Sequence, residues 1–289
     1  MESCLITLRE RFRRLTTDAR KVVGRSRAQL RSRDLVMRAG KRNLWVARED
    51  LARRYIRGEG IEIGALTSPS RVPPGVMMRQ VDRMSRSALI NSDGPALTAA
   101  GNIPSDIPEI DVVDDAERLS AFEDQSLDFV IANHVLEHLE DPIGALENLL
   151  RVLRPGGALV LTLPDRRYTF DAGRPATTVE HAVQDHEQGP HTSRAAHYAE
   201  WARLIEHLPE PEVPARAAEF ERVDARHHFH VWQLRDFLAL LLATPLPAEL
   251  VHAQAYLGEF AVVLRRAEGS AAWTTYAVTT TVARGQAPA

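Results

Sequence analysis

The chain has 289 residues, a formal net charge of −3, 44% hydrophobic and 26% charged residues, ordinary values for a globular protein long enough to bury a large core. Its single cysteine, Cys4, excludes an intramolecular disulfide and a zinc site built on cysteines, as expected in a reducing cytoplasm. No stretch nears the roughly 18 to 20 apolar residues of a membrane-spanning helix, and the most apolar run is only Phe237 to Ala243.

The charge is unevenly spread. Residues 1–60 hold 17 Lys and Arg against 7 Asp and Glu, a balance of +10, which leaves −13 for the remainder. Leu5, Leu8, Phe12 and Leu15 make a narrow apolar stripe crowded by Arg9, Arg11, Arg13 and Arg14. A helix of this kind rests peripherally on an anionic membrane surface, meets a partner helix or, more often, docks on its own domain. No continuous hydrophobic run follows the arginines, so a secretory signal is not expected and the expected location is cytoplasmic. Residues 16–40 read as a linker or loose helix. Leu44, Val46, Leu51, Tyr55 and Ile56 then suggest a helix that ends near Gly58. The expected organisation is a basic, mostly helical extension over 1–57, a folded domain over 58–266 and a C-terminal tail over 267–289.

Gly60 to Gly64 reads as a short strand followed by a turn, with Glu62 near its end. Gly64 either gives close backbone approach to a ligand or merely ends the strand. Val76 to Val81 reads as a second strand, and Asp82 follows, twenty positions after Glu62. A carboxylate there accepts hydrogen bonds from both hydroxyls of a ribose, although an aspartate also closes strand-to-loop turns. The spacing says nucleoside and not which one. After a loop over Pro104 to Asp111, Val112 and Val113 end a third strand, and Asp114-Asp115-Ala116 follows. Two adjacent aspartates there suit the cap of a following helix.

Leu127 to Ala132 is a short, mostly apolar run suited to a buried parallel strand. It ends in Asn133 and His134, at the strand edge where ligands sit in open α/β sheets. Ile143, Leu146, Leu149, Leu150 and Leu153 recur at helical spacing, and Pro155-Gly156-Gly157 turns the chain into a further strand, Ala158 to Leu163. Pro164-Asp165 closes it. His138 lies four residues after His134, but no glutamate follows the first histidine as in zinc proteases, so no metal site is expected.

Residues 166–226 form a long, loop-rich insertion that includes Tyr168 and five histidines, His181, His186, His191, His197 and His207. Segments of this size in compact domains are commonly functional. In the run His227 to Trp232, alternation predicts His228 and His230 on one strand face, with Phe229 and Val231 on the other. A helix over Leu234 to Leu242 and two last strands, Glu249 to Tyr256 and Phe260 to Leu264, complete the chain around Gly258.

Ser126-Leu-Asp-Phe-Val130, His134-Val-Leu-Glu-His138 and Arg151-Val-Leu-Arg-Pro-Gly-Gly157 fall in order at the spacing of one βαβ unit. Together they resemble the class I S-adenosylmethionine-dependent methyltransferases, and most closely the type-11 group of quinone-biosynthesis and natural-product enzymes. The resemblance covers residues 58–165. It implies a Rossmann-like, seven-stranded, mostly parallel sheet with helices on both faces and an inserted lid after the fifth strand. It implies S-adenosyl-L-methionine as cofactor, with Glu62, Gly64 and Ala65 beside its methionine portion and Asp82 and Arg83 at its ribose. Asp115 and Ala116 fall at the adenine, while Asn133 and His134 line the cofactor. Ala65-Leu66-Thr67-Ser68-Pro69 stands where the family carries further glycines.

The function this implies is methyl transfer to a small-molecule acceptor, a hydroxyl of a sugar or of a natural-product or cell-envelope metabolite. His138 is the first candidate base, since imidazole titrates near neutral pH, and Asp165 the second. Tyr168, His197, His228 and His230 are the expected acceptor-binding residues. Two alternatives are a nucleic-acid methyltransferase positioned by its basic arm and a binding module that has lost turnover. The −13 of the remaining chain, and the lack of an Asn-Pro-Pro-Tyr acceptor motif, stand against the first. A nicotinamide oxidoreductase is disfavoured because Gly-X-Gly-X-X-Gly is missing.

Overall fold

The structure, a computed structural model, describes residues 44–268. The apolar stripe over residues 5–15, the linker over 16–40 and the tail beyond 268 lie outside the described residues. Helix α1 spans 44–55. The chain divides into two compact units between Ala47 and Arg48. Leu51, Ala52 and Ile56, all buried, pack into the core of the domain.

Seven strands follow: β1 Glu59–Ile63, β2 Met77–Asp82, β3 Val112–Val113, β4 Leu127–Asn133, β5 Leu153–Pro164, β6 Ala248–Ala255 and β7 Glu259–Arg266. Their order in the sheet is β3-β2-β1-β4-β5-β7-β6. The pairs from β3 to β5 are parallel, and β7 runs antiparallel to both β5 and β6. The expected seven-stranded, Rossmann-like architecture is therefore present.

Strand alternation divides the core into two layers. Val130, Ala132, Leu159, Leu161, Val262 and Leu264 face a cluster containing Leu146, Leu150, Phe237 and Leu241. Phe129, Ile131, Ala158, Val160, Ala261 and Val263 face Leu51 and Ala52 of α1 and Ile56 just after it. Strands buried on both faces read as near-continuous apolar runs, which is why β4 and β5 were visible in the sequence. At Gly60 a Cβ would stand 2.2 Å from the Phe129 carbonyl oxygen, so β1 approaches β4 closely only with glycine there.

Helix α2, Arg86–Ala99, is absent from the sequence expectation because Gly94 and Pro95 lie inside it. Ser85 caps its start by accepting from Ala88 N, and buried Leu89 and Gly94 hold its inner side. Helix α3, Pro142–Arg151, starts from Asp141, whose carboxylate accepts from Gly144 N at 2.8 Å. It ends at Arg151, and pairing of β5 with β4 resumes from Leu153 through an irregularity between Leu127 and Phe129.

The segment after β5 differs from the loop-rich expectation. Single 3-10 turns at Arg166–Tyr168 and Phe170–Gly173 lead into α4 Val179–Gln188, α5 Arg194–Leu204 and α6 Val213–Arg222. Tyr198, Ala202, Val213, Ala217, Phe220 and Phe229 form a small core of their own. Their spacings of three and four residues were readable as helical, but prolines and histidines masked them. Residues 227–231 are extended without joining the sheet, and only Trp232 makes a β-bridge, to Asp165. Helix α7, Leu234–Ala243, precedes the β6–β7 hairpin. No helix of the described residues is long and apolar enough to cross a membrane.

Candidate functional site

The chain runs from β1 outward through β2 to β3, then returns to the other side of β1 as β4. Connections therefore diverge between β1 and β4, and the carboxyl ends there mark the switch point at which open α/β sheets take ligands. Gly64 and Asn133 stand at that point.

Gly64 has φ +65° and donates its N–H to the Val81 carbonyl at 3.0 Å, which turns the chain out of β1 alongside β2. Ala65, half-buried, opens the tight turn closed by Ser68 N on its carbonyl. Glu62 is fully buried below the turn. Its carboxylate accepts from Ser70 N at 3.0 and 2.9 Å and from Gln80 Nε2 at 3.1 Å. Asn133 Nδ2 donates to Ser70 Oγ at 2.9 Å, and Thr162 Oγ1 donates to Asn133 Oδ1 at 2.8 Å. Glu62 thus holds the turn in shape from beneath. Ser70, Gln80 and Thr162, which join it, carried no sequence signal.

One strand over, Asp82 is buried at the end of β2, and Arg83 N donates to its Oδ1 at 2.7 Å. Burial pushes its carboxyl above the usual range. The Arg83 guanidinium turns away to Asp93 on α2, at 3.1 and 3.2 Å. At the next tip, Asp114 N donates to the Asp82 carbonyl at 3.0 Å. The Asp114 carboxylate accepts from Asp115 N and Ala121 N, both at 2.8 Å, and so closes the following loop. Asp115 is left exposed beyond its contact with Glu117 N, and Ala116 packs against the core.

On the other side of the switch point His134 adopts the left-handed φ of +55° and donates its backbone N–H to the Thr162 carbonyl at 2.8 Å. Its Nε2 lies 2.9 Å from Glu259 Oε2, and Arg48 Nε donates to Glu259 Oε1 at 3.1 Å. Burial pushes the Glu259 carboxyl up, but the bonds from His134 and Arg48 outweigh it and hold it below the usual carboxylate range. Neither Arg48 nor Glu259 was expected in the site; helix α1 and the hairpin bring them there.

Glu137, within the His134 to His138 motif, is buried with neither carboxylate oxygen hydrogen-bonded. Burial raises its carboxyl to about 7, opposed most by the neighbouring His228. Glu137, His138 and His228 bring one ligand-type atom each within 4.8 Å of one another. His228 Nδ1 stands 2.7 Å from Asp171 Oδ2, and Arg174 NH1 donates to Asp171 Oδ1 at 2.9 Å. Burial pushes Asp171 up, yet the bonds from His228 and Arg174 prevail and keep it below its ordinary value.

Several expected residues take other places. His138 Nδ1 donates to the His227 carbonyl at 3.1 Å, and burial lowers its imidazole to about 3. It is therefore neutral and a poor proton acceptor. Asp165 is fully buried and bound twice by one guanidinium, Arg167 Nε to Oδ1 at 2.9 Å and NH2 to Oδ2 at 2.6 Å, so it is no free base. Tyr168 is exposed beside the Arg167 guanidinium. His228 and His230 do not share a face: His228 joins Asp171 and His138, whereas His230 and His197 belong with His181 and Asp185. The expected strand is absent because Phe229 N and His230 N both donate to the Glu137 carbonyl rather than to a neighbouring strand.

A model of a methyltransferase domain, of the type-11 kind, matches residues 81–161. An uncharacterized 37.1 kDa protein in transposon TN4556 of Streptomyces fradiae is 33% identical over 91 residues, which are 32% of this chain and 26% of that protein. The chain thus spans about a quarter of that curated relative's length. Among solved structures, a SAM-dependent methyltransferase from Aquifex aeolicus is similar at 11% identity and TM-score 0.38, over 72% of this chain and 82% of the other. One from Methanosarcina mazei is similar at 16% identity and TM-score 0.41, over 74% and 95%. The fold stands on the strand order itself. The domain match lies over β4, α3 and β5, and the strand order is that of a Rossmann-like sheet, so this part of the chain is similar to a type-11 methyltransferase domain.

Proposed function

We propose that this chain holds S-adenosyl-L-methionine across the tips of β3, β2, β1 and β4 and methylates a hydroxyl of a small, polyhydroxylated acceptor. The carrying observation is the alignment of those tips. Adjacent strands lie about 4.8 Å apart, so four neighbouring tips span roughly 14 Å, the scale of an extended nucleoside. The groups present fit it. Asp82, a buried acceptor beside the Gly64 turn, suits a ribose diol, and exposed Asp115, which already accepts from Glu117 N and faces Arg118, suits an adenine amino group. Ala65 and the Gly64 turn bring backbone close to the methionine portion. Glu62 and Asn133 act by keeping that turn rigid, and buried Glu259 supplies negative charge on the side where a sulfonium belongs.

S-adenosylmethionine supplies a methyl group on a positively charged sulfur, so the protein's part is to bind, align and exclude water. His134, His138 and His228 line the acceptor side with imidazoles, suited to a polar acceptor. Neutral His138 orients the acceptor hydroxyl through Nε2. His228 takes its proton on Nε2, with Asp171 fixing Nδ1–H as carboxylates do in base dyads. The helical segment 166–226 carries Asp171 and closes over this side as a lid.

Calorimetric titration of the full chain with S-adenosylmethionine tests the reading, with micromolar binding expected. S-adenosylhomocysteine release on adding hydroxylated acceptors tests the second half. No cofactor binding by the folded wild-type chain overturns the proposal.

A further inference from the structure

A second cluster lies inside the helical segment, apart from the strand tips. We propose that His181, Asp185, His197 and His230 bind one divalent transition-metal ion, zinc in tetrahedral coordination, which clips α4, α5 and the extended run before α7 together. Each offers one ligand atom, and the four atoms lie within 4.8 Å of one another. His181 and Asp185, four residues apart, share one face of α4. His197 comes from α5, one turn beyond its start, and His230 from the extended run.

The separations bracket those around a shared ion. His181 Nε2 and His197 Nε2 are 3.1 Å apart. Asp185 Oδ2 is 3.3 Å from His181 Nε2 and 3.7 Å from His197 Nε2. A tetrahedral zinc ion with bonds of about 2.0 to 2.2 Å sets its ligands roughly 3.3 to 3.6 Å from one another. Proton-mediated contacts leave the group unsatisfied. Asp185 Oδ2 and His230 Nδ1, both on fully buried residues, have no hydrogen-bond partner. A buried carboxylate oxygen ringed by three imidazoles without a bond is costly, and one cation relieves it.

The surrounding bonds are those that orient ligands. Ser193 Oγ donates to Asp185 Oδ1, leaving Oδ2 turned to the histidines. His230 Nε2–H donates to the Glu140 carbonyl oxygen at 3.1 Å, which fixes the ring and leaves Nδ1, without a partner, as its ligand atom. Four protein ligands close the coordination sphere, so the ion is structural and not catalytic. Three imidazoles with one carboxylate suit zinc among divalent ions. His181 is half-buried and marks the side from which an ion enters.

The test reads metal on the resting full chain, without cofactor or acceptor, so its outcome is independent of methyl transfer. Elemental analysis of protein purified without chelator should give about one zinc per chain. Replacement by cobalt(II) should give the intense visible absorption of a tetrahedral site, in wild-type protein and without any mutation. Asp185→Asn and His181→Gln should each lower the zinc content at least tenfold, while His138→Ala keeps it at one. Wild-type protein that binds neither zinc nor cobalt overturns the proposal. So does zinc that survives Asp185→Asn and His181→Gln but is lost in His138→Ala, because that places the ion on the Glu137–His138–His228 group.

Discussion

The parallel sheet over 58–165 and the helical segment over 166–226 build their polar sites in opposite ways. In the sheet, Gly64, Asp82, Asp114 and Asn133 each follow their own strand, and parallel pairing alone lines them up along one edge. Register does the gathering. In the helical segment, by contrast, His228 meets Asp171 across 57 positions and His230 meets Asp185 across 45. Those contacts exist only because the chain folds back on itself over long sequence separations. The first kind of site tolerates variation in loops; the second depends on packing and on every buried charge finding its counterpart.

Mutations sharpen that contrast. The largest effect is expected at His228→Ala, which should lower kcat about 10²- to 10⁴-fold, the range for loss of a general base, with little change in cofactor affinity. His138→Ala should lower it less, and the reverse order, measured by steady-state kinetics, would return the base to His138. Next comes Leu161→Ala, in the middle of the sheet. It should cost about 2 to 5 kcal/mol in denaturant unfolding, whereas Tyr198→Phe, removing only the hydroxyl bonded to the Ala225 carbonyl, should cost about 1 kcal/mol. Equal costs would erase the difference between the two cores. Asp82→Asn should weaken S-adenosylmethionine binding about 10- to 100-fold in calorimetry, as for loss of a charged hydrogen bond of about 1.5 to 3 kcal/mol. Unchanged affinity would remove Asp82 from the ribose.

The smallest effect concerns pH. The folded-state pKa of Glu259 lies below its ordinary value, 4.5. Its pairing with Arg48 and His134 therefore adds stability above that value, and the contribution fades as pH falls through the depressed folded-state pKa. Unfolding free energy followed from pH 7 downward should drop less steeply in Glu259→Gln than in the wild type. An identical acid limb would show that the pairing carries no linkage.

Much of the cofactor side was legible because its signals are local. A glycine after a short apolar strand, a carboxylate twenty residues on, and the His134 to Gly157 run each announce one strand tip. Helix α2 was not legible, since Gly94 and Pro95 oppose a helix locally and only burial of Leu89 and Gly94 sustains it. Glu137 stood inside the recognised motif without a role, because a glutamate between two histidines does not show that all solvent will be excluded from it. Arg48 and Glu259 were invisible for another reason: they lie 211 positions apart and meet only through the tertiary fold. The alternation of His228 and His230 misled, because a period of two assigns faces only when a ladder holds the backbone straight.

Composition and periodicity therefore sufficed for the sheet, its strand order by resemblance, and the edge at which the polar strand tips gather, since these follow from local burial patterns and short spacings. Packing alone decided which imidazoles are neutral, which carboxylates are engaged and which four side chains converge around α4 and α5. Protonation and ligation depend on the distance and dielectric between groups far apart in the chain, and no residue's neighbours in sequence encode either.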